Sequence, residues 1–473
     1  MKAKNKSFSG GYTFNLEGKS QSKVVELEVP SKVIIPLKQG FSREVKPKVK
    51  RGQEVKAGQI IGRDDNSIST PVHASVNGTV KEVVELSSKG KAVIIESDGT
   101  TDWEPIEGNN SGWTSLSAAE IEELLYTSGV TSLGNQGIPT RYKSSPISTD
   151  DVKHVIIKGA ESEPYNLLLS ALLNDGKVSK FVEGLEVLQK VLPQAKFHVV
   201  INKNRQGIIK ELSSVAGSYN WLQLYAVAPK YPQNNDKVIA QTVLGKSDTV
   251  KGSLTKHGVI TLDMQAALHV YNAVIEGKQL IEQIVALSGL GWKENISLKV
   301  RNGTSVSFIM RNYLDAAEDQ RVIPNNLLTE EAITDYETPV DRTFVNLNAI
   351  PEGDERELFA FLRPGRKRYS YSNVFLSALL PKLNKLCDTN VHGEGRPCIS
   401  CGYCEETCPV DIVPHIVDHY TAKNNVDDEL IRYGIFDCIE CNLCTFVCPA
   451  KRPLGQHIKQ GKQFLMNKGY AVK

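Results

Sequence analysis

The stretches CISCGYCEETCPV and CIECNLCTFVCPA constrain this chain more than any other feature. Each carries the spacing C-x2-C-x2-C-x3-C-P, through Cys398, Cys401, Cys404 and Cys408 in the first and Cys438, Cys441, Cys444 and Cys448 in the second. Three thiolates two residues apart sit on one tight turn, which aims their sulfurs at a common, cubane-sized volume. In a two-cluster arrangement the fourth cysteine, on the helix that follows, ligates the other cluster. The expected ligand sets are therefore crossed: Cys398, Cys401, Cys404 and Cys448 for one [4Fe–4S] cluster, and Cys438, Cys441, Cys444 and Cys408 for the other. A single C-x2-C pair would also suit zinc; two complete copies, each closed by proline, select iron–sulfur. A disulfide scaffold would spread its cysteines through a small secreted domain, whereas all nine here fall in the last fifth of the chain. Cys387 lies outside the pattern and reads as a buried or surface thiol, with a ligand-swap role left open.

The 29-residue spacer from Cys408 to Cys438 contains HIVDHYTAKN and DDELIRYG, both helical in pattern. It is longer than the link in small ferredoxins and suggests a helical two-cluster module. Two cubanes sharing ligands in this way lie within electron-tunnelling distance, so the pair implies electron transport. The alternative, clusters that are structural only, usually involves one cluster.

A chain of 473 residues exceeds one ordinary core, so roughly two to four domains are expected. Its net charge of +2 argues against a nucleic-acid binder, which would show a strong basic excess. No apolar run approaches the ~20 residues of a membrane helix. The basic start MKAKNKSFSGG has no apolar segment behind it. A cytoplasmic protein that reaches a membrane only through partners is the expectation.

Residues 24 to 105 read as β-rich. VKRGQEVKAGQIIG followed by TPVHASVNGTVKEV resembles the barrel-sandwich hybrid of biotinyl and lipoyl domains. The turn HASVNG offers no lysine to modify, so a structural or docking role is expected instead of a carrier role. LSAAEIEELLYTSG reads as a helix opened by Ser115 or Ser117, with Glu120 completing a capping box from Ser117. From 152 to about 250, strands and helices alternate, which argues an α/β layer with a mostly parallel sheet. GAESEP (159–164) and PKYPQNND (229–236) then fall at strand carboxyl ends, where such sheets bind ligands. ITLDMQAALHVYNAVIEGK (260–278) reads as an amphipathic helix. LIEQIVALSG and ISLKVRNGTSVSFIM read as strands with an Asn302-Gly303 hairpin turn, a small β-grasp-type module. Residues 311–370 look polar and irregular and end in RPGRKRYS, either a solvated linker or a docking surface for an acidic partner.

Nearly the whole chain resembles the RnfC family of the Rnf electron-transport complexes, together with its relative, the A subunit of the sodium-pumping NADH:quinone reductase. The residues that carry the resemblance are VIIPLKQGFSREVKPKVKRGQEVKAGQIIG with TPVHASVNGTV, IIKGAESEPY, VIEGKQLIEQIVALSG, and the two cysteine groups down to DCIEC and VCPAKRPL. FVEGLEVL and GDERELFAFLRPGRKRYS are more similar to the quinone reductase protein. The resemblance implies a multidomain α/β plus β fold. Its parts would be a barrel-sandwich domain (1–110), an α/β domain like the flavin- and NADH-binding subunit of respiratory complex I (111–258), a β-grasp, SLBB-like module (259–345), a linker (346–385) and a two-[4Fe–4S] ferredoxin-type domain (386–473). It further implies a translocase subunit, peripheral on the cytoplasmic face of the cell membrane. Such a protein would pass electrons between ferredoxin or an iron–sulfur subunit, NADH and the membrane subunits, with Na+ or H+ transport coupled to the exchange. Other readings are a component like the A subunit of the sodium-pumping NADH:quinone reductase, a soluble flavin/Fe–S reductase of the cobalamin type and a non-redox assembly scaffold.

The loop VTSLGNQGIPTRYK (130–143) departs from the family's G-L-G-G-A-G-F-P-T, keeping Gly134 and Gly137 but carrying Ser132, Asn135 and Gln136. The family's YPQGGEK is YPQNNDK here, with Asn234 and Asn235, and the cysteine of GAECEPY is Ser162. Three loops that should meet over one FMN or NADH have all gained bulk. If the site works, Gly134 and Gly137 would cradle phosphate, and Glu161 and Glu163 would bind ribose or ring hydroxyls. A full FMN and NADH site, a site for one altered ligand, and an empty scaffold all remain open.

Overall fold

The computed structural model describes residues 3–40, 42–64, 69–87, 89–106, 112–131, 152–165, 169–174, 176–245, 254–315, 319–353, 371, 386–387, 395–423 and 426–470. Most of the loop at 130–143, with Gly134 and Gly137, lies outside them, as does the basic run RPGRKRYS.

Two three-residue strands open the chain, β1 (Lys4–Lys6) and β2 (Val24–Glu26). A β-sandwich follows, built from β3 (Lys32–Pro36), β4 (Lys46–Pro47), β5 (Glu54–Val55), β6 (Ile60–Arg63), β7 (Val72–His73), β8 (Gly78–Leu86) and β9 (Gly90–Ser97). Its two sheets run β3-β9-β8-β5 and β4-β6-β7. Alternating apolar residues such as Val33, Ile35, Ile61, Val80, Val93 and Ile95 fill the space between them. The sandwich thus begins at Lys32, not at residue 1. β1 and β2 pair elsewhere, parallel to the strands at Leu222–Val227 and Ser297–Arg301 in the two sheets described next. Strands this short carry too little pattern to reveal distant partners.

Helix α1 (Ala118–Thr127) starts at Ser117, whose hydroxyl accepts from Glu120 N–H while the Glu120 carboxylate accepts from Ser117 N–H. The α/β layer then contains β10 (His154–Gly159), α2 (Leu169–Leu173), α3 (Lys177–Val191), β11 (Lys196–Asn202), α4 (Gln206–Ala216), β12 (Leu222–Val227), α5 (Asp236–Leu244), β13 (Val259–Asp263) and α6 (Met264–Val274). Every strand pair in its sheet, β1-β12-β11-β10-β13, is parallel. Helices α3 and α6 cross closely because position 184 is glycine; a Cβ there would stand 2.3 Å from the Ala267 carbonyl oxygen. The helix expected over 260–278 is therefore a strand followed by a shorter helix. VITLD is buried throughout up to Asp263, whose side chain caps α6 by accepting from Ala266 N–H. β13 also moves the end of the α/β layer past the expected boundary at 258.

A third sheet, β16-β17-β14-β15-β2, comprises β14 (Glu282–Ser288), β15 (Ser297–Arg301), β16 (Gln320–Pro324) and β17 (Asn346–Pro351), with helix α7 (Val306–Tyr313) between β15 and β16. β14 and β15 form an antiparallel hairpin, and β17 returns parallel to β14. Asn302-Gly303 is not the turn of that hairpin, and the second half of the expected strand, SFIM, lies in α7. Gly303 adopts φ +92 where a Cβ would meet Ile34 and Ile35 of the sandwich. Its carbonyl accepts from Ile34 N–H at 2.8 Å, and the Ser75 hydroxyl of the HASVNG turn donates to the Asn302 carbonyl at 2.5 Å. The turn that would carry a swinging arm is thus buried as a docking contact. β16 and β17 also give regular structure to the region expected to be irregular, and β17 falls within the expected linker.

Candidate metal centres and the strand-end crevice

The C-terminal unit repeats one structural sentence. Short helices α8 (Tyr403–Glu406) and α11 (Leu443–Val447) follow the two cysteine turns. Helices α9 (Pro414–Ala422) and α12 (Leu454–Asn467) follow the Cys-Pro steps, with the short α10 (Glu429–Arg432) in the spacer. Corresponding positions share an uncommon backbone. Ser400 and Gly402 flank Cys401 at φ 52 and 78, as Glu440 and Asn442 flank Cys441 at 56 and 60. Asp411 and Lys451, three residues past Cys408 and Cys448, are both at φ 55. Left-handed residues on either side of the middle cysteine curl each loop inward. In both loops a backbone N–H points at the first sulfur, Ser400 to Cys398 and Glu440 to Cys438, at 3.4 Å. For non-glycine residues this conformation is costly and clusters at functional sites.

Two recesses result. One, of about 350 Å³, is lined by Cys398, Cys401, Cys404 and Cys448, with His415 and Arg452 at its edge. The other, of about 360 Å³, is lined by Cys408, Cys438, Cys441 and Cys444. The first opens to solvent: Cys398 and Cys401 are exposed, and Ile399 between them is 65% exposed. The second is less exposed, with Cys408, Cys438, Cys441 and Cys444 all half-buried. Burial pushes the Cys404 thiol up to about 11 and the Cys441 thiol up to about 12, and raises Cys444 well above the usual range. Neighbouring thiols add to each shift, and Cys404 of the outer quartet acts on Cys444 of the inner one. Raised, clustered thiols ionise together only against a bound cationic centre, and with four cysteines lining each recess each donor set fits an iron–sulfur cluster. Asp418, buried beneath the outer quartet, accepts from Arg452 Nε and bonds His457 Nδ1, both at 2.6 Å. Lys462 reaches the Cys438 carbonyl at 2.5 Å. Cys387, also outside the repeat here, packs at the margin of the aromatic cluster below.

The inner quartet abuts the carboxyl ends of the parallel strands. Tyr231, in the loop after β12, is 2% exposed and donates its hydroxyl to the Cys441 carbonyl at 2.7 Å. Around it pack Tyr12, Phe14, Leu443, Phe446 and Val447. Asn442 Nδ2 donates to Leu328 O at 2.8 Å, tying the cluster loop to the third sheet's long connection.

In the crevice itself, Glu161 adopts φ 46 and accepts from Arg205 Nε at 2.7 Å. Glu163 accepts from Asn234 Nδ2 at 3.2 Å, and burial raises its carboxyl above the ordinary range. Asn234 N–H donates to the Ser162 hydroxyl at 3.0 Å, and Asn234 Oδ1 accepts from Ala160 N–H at 3.1 Å. Asn235 caps α5 through its side chain, accepting from Lys237 N–H at 3.1 Å. Burial pulls the Lys158 ammonium down, but Asp236 at 2.7 Å, together with Asp263 and Glu163, holds it above its usual pKa. Both glutamates thus bond across to neighbouring loops. Arg205, Tyr231 and Asn326 are functional candidates that the sequence did not mark. The phrase PKYPQNND gives Tyr231 a position at a strand end, but nothing in it points toward a cysteine loop 210 residues away.

Three family comparisons align with these units. Residues 6–100 match the RnfC barrel sandwich hybrid domain, 125–284 the Nuo51 FMN-binding domain, and 397–452 a 4Fe-4S dicluster domain. The C subunit of the proton-translocating ferredoxin:NAD(+) oxidoreductase complex of Clostridium ljungdahlii is 26% identical over 469 residues, covering 96% of this chain and 93% of that protein. Among solved structures, an NAD+-reducing [NiFe]-hydrogenase aligns at TM-score 0.42 and 14% identity in its air-oxidised state, over 50% of this chain and 47% of that one. In its H2-reduced state it aligns at TM-score 0.44 and 12% identity, over 76% and 63%.

Proposed function

The chain belongs to the RnfC family, and on that premise we propose that it is a peripheral iron–sulfur electron-transfer subunit of an ion-translocating oxidoreductase complex, assembled with membrane subunits. Two [4Fe–4S] clusters carry the electrons. We assign the outer one to Cys398, Cys401, Cys404 and Cys448, and the inner one to Cys438, Cys441, Cys444 and Cys408. The observation that carries the reading is the difference between the two quartets: one has two exposed cysteines on either side of Ile399, while the other has four half-buried cysteines and is bonded through Cys441 to Tyr231 at the strand ends of the α/β layer. Electrons exchanged in the crevice have the inner quartet as their neighbour and the outer quartet as their way to a partner.

FMN, when bound, supplies exchange between two-electron and one-electron carriers. Gly134 and Gly137 would meet its phosphate through bare N–H groups, with Glu161 and Glu163 nearby for hydroxyls. The chain's own part is to hold these loops: Arg205 orients Glu161, and Asn234 orients Glu163. The sheet containing β14–β17 runs ββαββ along the chain, and we read it as a β-grasp, SLBB-like unit. No described helix is long and apolar enough to cross a membrane. Ion movement therefore falls to partners. We place the chain on the cytoplasmic face, its outer quartet turned toward ferredoxin or an iron–sulfur protein of the complex.

An anaerobic NADH titration of the cluster-reconstituted chain, with added FMN and a dithionite endpoint, tests the nicotinamide end. Bleaching of the cluster absorbance by NADH makes this chain the NAD port. Bleaching by dithionite or reduced ferredoxin, but never by NADH, makes it a relay only.

A further inference from the structure

Resting on the two-cluster reading above, we infer that Tyr231 is a positioning residue that couples the crevice to the inner cluster and raises that cluster's reduction potential. The direction of its hydrogen bond is fixed by chemistry. The Cys441 carbonyl has no proton to give, so the phenol donates to it at 2.7 Å. Asn326 Nδ2, 3.2 Å from the phenol oxygen, must then donate as well. The chain Asn326–Tyr231–Cys441 is thus polarised, with every proton pointing toward the ligand-bearing peptide.

The ring is held from behind. Tyr231 and Tyr12 exchange both backbone hydrogen bonds, at 2.8 and 2.9 Å, and the Phe14 ring packs against it at 6.0 Å. Three residues on, Asn234 grips Ser162, Glu163 and Ala160 at the crevice. One loop therefore touches the proposed flavin crevice at one end and an inner-cluster ligand at the other. A cluster that gains an electron becomes more negative, and donors aimed at its ligands favour that state. Removing the phenolic proton should make the inner cluster harder to reduce and leave the outer one unchanged.

The test is a redox titration followed by low-temperature EPR on wild type, Tyr231→Phe and Asn326→Asp, with the inner signal identified by its loss in Cys441→Ser. In Tyr231→Phe the ratio of reduced to oxidised inner cluster at fixed potential should fall by about three- to tenfold, at most about 59 mV for one electron. Asn326→Asp offers an acceptor that draws the phenolic proton away from Cys441, and should shift the same signal in the same direction. Iron content should stay at the wild-type level in both. Unchanged or raised inner midpoints at full iron content overturn the inference. If Tyr231→Phe loses iron, Asn326→Leu, which removes the donor behind the phenol without adding a charge, decides the matter by the same criterion. A wild-type chain without two reducible clusters overturns instead the reading on which the inference rests.

Discussion

Asn234 donates its side-chain amide to Glu163 across 3.2 Å, joining the loop after β12 to the loop after β10. The same residue holds Ser162 with its backbone N–H and Ala160 with its side-chain oxygen. Positions 162 and 234, where the sequence departs from the family phrases GAECEPY and YPQGGEK, are therefore bonded to each other. The departures thus meet at one place, bridging the loops on the two sides of the crevice.

Replacing Asn234 with glycine should undo this lock. Two side-chain hydrogen bonds disappear and Glu163 loses its amide partner, at a cost of about 1–3 kcal/mol in chemical denaturation. The same change frees space at the strand ends, so FMN should bind more tightly in a fluorescence-quenching titration. An unchanged flavin affinity would show that the Asn234 side chain does not compete with the ligand.

The crossed ligand sets distinguish two otherwise similar substitutions. Cys448→Ser should deplete the outer, solvent-facing cluster and Cys408→Ser the inner one, although each cysteine belongs by sequence to the opposite motif. Each variant should fall from about eight irons per chain to about four. EPR of the surviving signal, compared with Cys398→Ser and Cys441→Ser, reads which cluster remains. Depletion that follows the sequence motif instead would contradict the crossing.

His73, in strand β7 of the sandwich, is held neutral, its pKa lowered to about 3 by burial and then by Arg342, while its Nε2–H donates to the Thr127 carbonyl at 2.8 Å. His198 is likewise lowered to about 3, by burial and by His154. Below the unfolded histidine pKa of 6.5 the unfolded chain binds protons that the folded chain refuses. Stability should therefore rise with pH between about 3 and 6.5, by up to about 1.4 kcal/mol per unit for each such histidine. Urea unfolding at pH 5, 6 and 7 should show a smaller slope in His73→Gln than in wild type. Equal slopes would mean that His73 is protonated in the fold.

Helix α1 leads directly into the glycine loop, and its capping box makes its start addressable. Ser117→Ala should cost about 1 kcal/mol and raise amide exchange across Ala118–Ile121 while leaving cluster spectra unchanged.

The sequence made the metal region legible because ligand spacing is local: two turns and two Cys-Pro steps set the recesses with little help from the rest of the chain. The parallel sheet was legible for a similar reason, with KFHVVIN becoming β11 residue for residue. Long-range pairing was not. β1 and β2 are three residues each and join strands more than 200 residues away. Asn302-Gly303 has hairpin chemistry, yet its left-handed glycine serves a close approach to Ile34 instead. VITLD merged with the following helix because no proline or glycine separates them, only the cap Asp263. Tyr231 could not be singled out, since its role exists only where three distant loops converge.

The most direct test of the two-cluster account is iron analysis with EPR of the anaerobically reconstituted chain, before and after dithionite. The account expects about eight irons per chain and two reducible [4Fe–4S] signals that broaden each other through proximity. About four irons with a single isolated signal, or a metal that dithionite cannot reduce, would contradict it.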